Sequence, residues 1–367
     1  MNFSPRIDDD PIADLKDRLD RARWPDRETD PSQGVPLDDL RALVEHWRHR
    51  YDWDRLRARL TSVPQVLVPI DGLEHHAVHL RSSRADATPL LLAHGWPSTC
   101  FEFLDAARLL VEPDEGPAFH VVCPSLPGYG FSGKPDEPGW NAARTADAWV
   151  ALMGALGYQT FLAHGGDWGA TVTTELALRS PERLSGLHLT MPIVVPTVVE
   201  TTHVSDFERR GLERDRAYRR TGFGYAQIQL TRPQTLGYAL DDSPIGLCAW
   251  IAEKLRDWSG RDATGRSLLS DDAMLDIVSV YWFTRTATTS ARLYFESLRM
   301  DVVTPVTVPT GCSIFADEII RPSRAAVARR YLDLRSWRTV DAGGHFPAAE
   351  VPERFADEVR AFAAALG

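Results

Sequence analysis

The chain has 367 residues, long enough for a core domain that carries a large insertion. Charged residues at 25% and hydrophobic residues at 44% are ordinary for a globular protein. A formal net charge of −10 argues against a nucleic-acid or anionic-membrane partner. Residues 1–10 lack the apolar core of a signal peptide and no later run is long enough to span a bilayer, so a soluble cytoplasmic protein is expected.

Asp10-Pro11 reads as a helix start, and Ile12, Leu15, Leu19 and Ala22 keep a helical stripe until Trp24-Pro25. A second amphipathic helix follows, with Leu40, Leu43, Val44 and Trp47 on one face. From Pro64 the period changes. Val66–Val68 and His76–Leu80 read as paired strands joined at Asp71-Gly72. Leu90–Ala93, His120–Cys123 and Leu187–Met191 read as short strands of a parallel sheet, separated by helical stretches over Phe101–Val111, Thr145–Leu156 and Ala170–Ser180. Residues 196 to about 300 are largely helical and rich in Trp and Tyr. Strands resume over Val306–Phe315 and Trp337–Val340, and Pro352–Leu366 closes the chain as an amphipathic helix. The expected organisation is an N-terminal helical extension (1–62), a doubly covered sheet domain in two parts (63–195 and 301–367), and a helical lid (196–300) over its strand ends. Of the four cysteines, Cys123 and Cys312 fall in predicted strands, and the spacing fits no metal site.

The stretch Phe161–Ala170 carries the chemistry. An apolar strand ends in Gly165-Gly166-Asp167-Trp168-Gly169 and opens straight into a helix, a joint that holds its middle residue out over the sheet end. Serine hydrolases place Ser there. A carboxylate suits displacement at a saturated carbon. The plainer alternative is an Asp that caps the helix. His345 lies in a loop after the last predicted strand, where a triad histidine belongs, and an acid is expected after the strand ending near Phe315. Asp317 and Glu318 both qualify by spacing. His94-Gly95-Trp96-Pro97-Ser98 follows another strand end, which nominates the amides of Trp96 and Trp168 as oxyanion donors. The turn Leu126–Ser132 reads as a pocket wall.

Taken together, these motifs resemble the epoxide hydrolases of the α/β-hydrolase superfamily, of the microsomal and juvenile-hormone type with an N-terminal extension. Arg23-Trp24-Pro25-Asp26, Tyr51-Asp52-Trp53, the His94 and Asp167 motifs and Gly343-Gly344-His345-Phe346 carry the resemblance. In the lid, Gly224-Tyr225, Thr231–Gly237, Asp242–Leu247 and Ala291–Tyr294 extend it. The mammalian microsomal members carry a membrane anchor that this sequence is expected to lack.

The resemblance implies an α/β-hydrolase fold with Asp167 as nucleophile, His345 as base, Glu318 as acid, and Tyr225 and Tyr294 as donors to the epoxide oxygen. From spacing alone the two tyrosines read as lid packing. His94, Gly95, Pro97 and Trp282 are the expected substrate contacts. The expected partner is a small-molecule epoxide, with a homodimer as a candidate assembly and neither metal nor organic cofactor. A haloalkane dehalogenase would also use an Asp-Trp joint, but it leaves the two tyrosines without a task. A non-catalytic binding protein would show an eroded triad.

Overall fold

Short apolar runs bounded by turns become the strands of one twisted sheet. The computed structural model describes residues 2–194, 205–299 and 301–367. Among these, nine strands are present: β1 (Asn2–Phe3), β2 (Gln65–Ile70), β3 (Leu73–Leu80), β4 (Thr88–Ala93), β5 (Phe119–Pro124), β6 (Phe161–Gly165), β7 (Leu184–Leu189), β8 (Thr310–Phe315) and β9 (Leu334–Val340). They are hydrogen-bonded in the order β1-β2-β3-β5-β4-β6-β7-β8-β9. The first three pairings are antiparallel, and from β5 to β9 every neighbour is parallel. Strands β6 and β8 are buried along their whole length and β4 along its last four residues, as strands covered on both faces are.

The covering helices can be assigned from β6 alone. His164 packs on Phe355, whereas the next residue, Gly165, lies where a β-carbon would meet the Gly169 carbonyl at 2.3 Å. Successive strand residues face opposite ways, so the helices bearing Phe355 and Gly169 lie on opposite faces. In chain order the helices are α1 (Asp9–Asp20), α2 (Leu37–His49), α3 (Trp53–Thr61), α4 (Leu104–Val111), α5 (Ala142–Ala155), α6 (Asp167–Arg179), α7 (Asp206–Ala217), α8 (Gly224–Thr231), α9 (Pro233–Leu240), α10 (Pro244–Trp258), α11 (Asp271–Thr284), α12 (Ala287–Glu296), α13 (Arg324–Arg330), α14 (Pro347–Glu350) and α15 (Pro352–Ala364). Helix α4 packs with α15 on one face, and α5 packs with α6 on the other. Among the described residues no helix is long and apolar enough to cross a membrane.

Helices α7 to α12 form the helical insert. The ends of the lid read from the sequence, at 196 and 300, lie outside the described residues. The N-terminal helices dock on this insert. Trp47, fully buried, donates to Ser279 Oγ at 3.0 Å, and His46 meets Asp272 at 2.6 Å. Tyr51 and Arg55 both hydrogen-bond the Asp276 carboxylate of α11.

Two sequence expectations are corrected. The strand read from Val306 begins only at Thr310, because Pro305 and Pro309 lack the N–H that a ladder needs; Val306 makes just an isolated bridge to Tyr331. The N-terminal segment is also not wholly helical, since Asn2–Phe3 adds an edge strand against β2. All four cysteines are buried and free.

Helix α6 can lie against β4 only because Gly169 has no side chain: a β-carbon there would stand 1.9 Å from the Ala93 carbonyl oxygen. Gly169→Ala is therefore expected to cost about 3 kcal/mol or more of unfolding free energy in urea titration. Gly224→Ala, at a helical position with nothing within 4 Å, should cost nothing measurable. Equal stability of the two variants would refute the close-approach argument.

Candidate active site

The β6–α6 joint turns so sharply that Asp167 takes a left-handed backbone, with φ of 50°. For a residue with a β-carbon this conformation is strained. It sets the carboxylate over the end of the sheet, at the first residue of α6. The loop after β4 approaches from the side, and Trp96 N–H donates to Asp167 Oδ1 at 2.8 Å. A β-carbon on Gly95 would stand 2.3 Å from that same oxygen, so glycine is what permits the contact. Trp168, the second residue of α6, has one of the amides that a helix start leaves without an intrahelical acceptor.

On the other side of the carboxylate stands His345. Its Nε2 lies 3.4 Å from Asp167 Oδ2, an ion-pair distance, and makes no aligned hydrogen bond among the described residues. Its Nδ1 meets Glu318 Oε1 at 2.8 Å. The Glu318 oxygen also accepts the amides of Ile319 at 2.6 Å and Ile320 at 3.3 Å. Burial opposes charge on the imidazole, yet Glu318 and Asp167 outweigh it and raise its pKa well above the ordinary value. Asp317, the other acid that spacing allows, points away: it pairs with Arg214 at 3.2 Å and accepts the Arg261 amide.

Above the carboxylate the lid contributes a nest of aromatic rings. Tyr225 stacks on Trp96 with centroids 4.9 Å apart, and Tyr294 meets the edge of Trp168 at 4.7 Å. Tyr294 Oη is buried with no hydrogen-bond partner among the described residues. Burial holds both phenols well above their ordinary pKa, so they are neutral donors. These groups open on a cavity of about 350 Å³, walled mostly by apolar side chains including Met191, Ile193, Leu230 and Ile320. Behind the carboxylate is a second, small chamber of about 20 Å³ walled by Asp167, His345, Glu102 and His164. That is room for one water.

Not every expected contact reaches the cavity. Trp282 lines a separate cleft between α1 and the lid, under the Arg18 guanidinium, so it is no neighbour of Asp167. His94 is fully buried beneath the loop. Its Nδ1 lies 3.0 Å from the Gly95 carbonyl oxygen and its Nε2 accepts the Leu126 amide, while burial takes its pKa down to about 4. It shapes the turn that carries Trp96, and the Trp96–Pro97 peptide bond in that turn is cis. The turn 126–132 lies behind His94 and against α12 through Tyr129 and Ser290, away from the cavity wall.

Several groups at the site escaped the sequence reading. Tyr218, in a π-helical turn, has its hydroxyl 2.9 Å from that of Tyr225. Glu350 accepts the amides of Gly344, Phe346 and Gly260, fixing the loop that presents His345. Burial pushes Glu102 up to about 8, so this carboxyl is protonated at neutral pH. Only Glu350 had a local signal, a carboxylate five residues after a glycine-rich histidine loop.

The ion pairs at His345 predict a titration. NMR of the imidazole should place its pKa well above 6.5, and Asp167→Asn and Glu318→Gln should each lower it, the second more. A folded pKa above the unfolded value means the stabilisation is complete below about pH 6.5 and is lost as pH rises through the folded pKa. An unchanged titration in both variants would contradict the pairing.

Comparison with known proteins gives the family. A family model described as epoxide hydrolase N terminus matches residues 1–103, and one described as alpha/beta hydrolase family matches residues 90–358. A Stigmatella aurantiaca protein, provisionally named an epoxide hydrolase, is 46% identical over 98% of this chain and 83% of its own length. Epoxide hydrolase 1 of Sus scrofa is 34% identical over 98% of this chain and 87% of its own. The solved structure of Aspergillus niger epoxide hydrolase superposes with a TM-score of 0.90 at 30% identity, covering 100% of this chain and 96% of that one. The chain therefore belongs to the epoxide hydrolase family and has the α/β-hydrolase fold.

Proposed function

We propose that the protein hydrolyses an epoxide to a vicinal diol through a covalent ester on Asp167. The observation that carries this reading is one carboxylate facing two kinds of group. Neutral phenols stand on its substrate side, and a carboxylate-backed histidine beside a water-sized chamber stands on the other. Asp167 Oδ2 attacks an epoxide carbon and the ring C–O bond breaks. The leaving oxygen takes a proton from Tyr225 or Tyr294, groups that stabilise alkoxide as it forms. Tyr218 contributes in the orientation where its hydroxyl donates to Tyr225, because the Tyr225 proton then faces the cavity.

Oδ1, already held by the Trp96 amide, is the carbonyl oxygen of the resulting ester. Esterification removes the Asp167 charge that helps hold the imidazole proton; that proton restores the tyrosine, and a water in the small chamber then gives one proton to the free His345 Nε2 as it attacks the ester carbon. The protonated carboxyl of Glu102 offers its carbonyl oxygen to the second water hydrogen. The tetrahedral oxyanion sits on the amides of Trp96 and Trp168. Collapse breaks the bond from the ester carbon to Oδ2, the departing oxygen takes the second water proton from the new carboxyl group, and the diol leaves with Asp167 again a carboxylate beside the protonated His345. Without Glu318 the imidazolium formed in this step would be buried with no counter-ion, a costly state.

The route of the water oxygen tests the scheme. A single turnover in oxygen-18 water with enzyme in excess should label Asp167 and leave the first diol unlabelled, read by peptide and product mass spectrometry. His345→Gln should accumulate the ester, since alkylation needs no base. Labelled diol in the first turnover, with unlabelled Asp167, means that water attacked the ring directly.

The phenols are tested separately. Tyr225→Phe and Tyr294→Phe should each slow alkylation by about 2–4 kcal/mol of barrier, and the double variant should nearly abolish it. Stopped-flow fluorescence of Trp96 and Trp168 follows that step. An unaltered rate in the double variant reduces both tyrosines to packing residues.

A further inference from the structure

The charged residues in the wall of the substrate cavity differ in what answers their charge. Asp215 and Arg219 of the lid pair with each other at 2.9 Å, and Asp167 faces His345. Arg321, also in the wall, has no such counter-ion. It is 6% exposed, and among the described residues no carboxylate lies within ion-pair distance of it.

Arg321 stands three residues beyond Glu318, in the loop before α13. Its Nη1 donates to the Ala316 carbonyl, and its guanidinium carbon lies 4.6 Å over the Phe207 ring. Its Nε is buried without a hydrogen-bond partner. On the lid, a β-carbon at Gly211 would stand 2.9 Å from Arg321 Cβ and 3.1 Å from Nε, so glycine is what lets α7 close over the arginine. The nearby acids are engaged elsewhere, Asp317 with Arg214 and Glu318 with His345. Arg214 and Arg210 add positive potential. Burial and Arg214 hold the guanidinium below its ordinary pKa. A buried guanidinium without a carboxylate partner burdens the fold; its Nη2, which makes no hydrogen bond among the described residues and is not sealed as Nε is, leaves a donor that a planar anion would satisfy by a charge-assisted hydrogen bond. The rest of the wall is apolar and suits a hydrocarbon body.

We propose that Arg321 is a carboxylate-binding group of the substrate cavity, and that the epoxides this protein hydrolyses carry a carboxylate on an apolar body. The substrate class rests on the reaction proposed above, whereas the anion subsite can be tested apart from it.

The experiment compares ω-epoxyalkanoates with their carboxamides, in chains of about six to twelve carbons to cover a cavity of this size. At the best length kcat/KM for the acid should exceed that for the amide roughly tenfold or more. Arg321→Leu should bring the ratio to about one, and Arg321→Lys should keep part of it. Equal values for acid and amide in the wild type at every length, or a ratio that survives Arg321→Leu, overturn the proposal. If the leucine variant fails to fold, the wild-type ratio and the lysine variant decide. Absence of diol from every epoxide would defeat the hydrolase reading instead. Calorimetry with heptanoate and heptanamide then still decides the subsite: tighter carboxylate binding supports it, and equal or absent binding overturns it.

Discussion

The Trp96 amide reaches Asp167 Oδ1 across a gap that no additional atom could share. Three absent side chains make the geometry possible. Gly95 lets the loop after β4 touch the carboxylate, Gly165 lets β6 run against the start of α6, and Gly169 lets α6 rest on the end of β4. The strained φ of Asp167 is the counterpart of this packing, a cost on the order of 1–2 kcal/mol that surrounding burial must offset. His345 and its loop then have a fixed target, and Glu350 holds that loop by three backbone amides.

Around this joint the same functional group is used in different states. Glu318 is nearly fully buried, but it is matched by an imidazole and two amides. Glu102 is half-buried, and loss of solvent outweighs what Ser98 and His345 offer a charge, so its proton stays on. Glu350 faces amide donors alone, and burial raises it despite them. Environment sets the state in each case, because a carboxyl group is a charged partner, a protonated group or an amide clamp according to what stands within about 3 Å.

This explains how much the sequence could reveal. Asp167, His345 and the Trp96 loop were legible because each follows a strand end and is flanked by glycines, and those are local signals. The choice of Glu318 over Asp317 was not local, since adjacent residues in a turn differ only in direction; resemblance supplied it, and the 2.8 Å contact with His345 agrees. Tyr218, Glu102 and Arg321 lie close in sequence to Tyr225, Trp96 and Glu318, but their ordinary sequence surroundings do not mark which way their side chains face. Trp282 was misplaced for a related reason. Helix α11 buries residues on most of its circumference, so an aromatic residue on it carries no mark of which cavity it faces. The interior strands were readable from composition, whereas the start of β8 depended on two prolines.

The docking of the first helices on α11 has a consequence in time. Trp47 and Ser279 are 232 positions apart in the chain, and Tyr51 and Asp276 are 225 apart. At a synthesis rate of about 5–20 residues per second, the apolar face of α2 leaves the ribosome tens of seconds or roughly ten seconds before its docking surface exists. During that interval Trp47 lacks its native Ser279 partner, and closing so long a loop is entropically slow. These helices are thus made long before their docking surface, which makes them a natural point for chaperone capture or misassociation on a crowded ribosome.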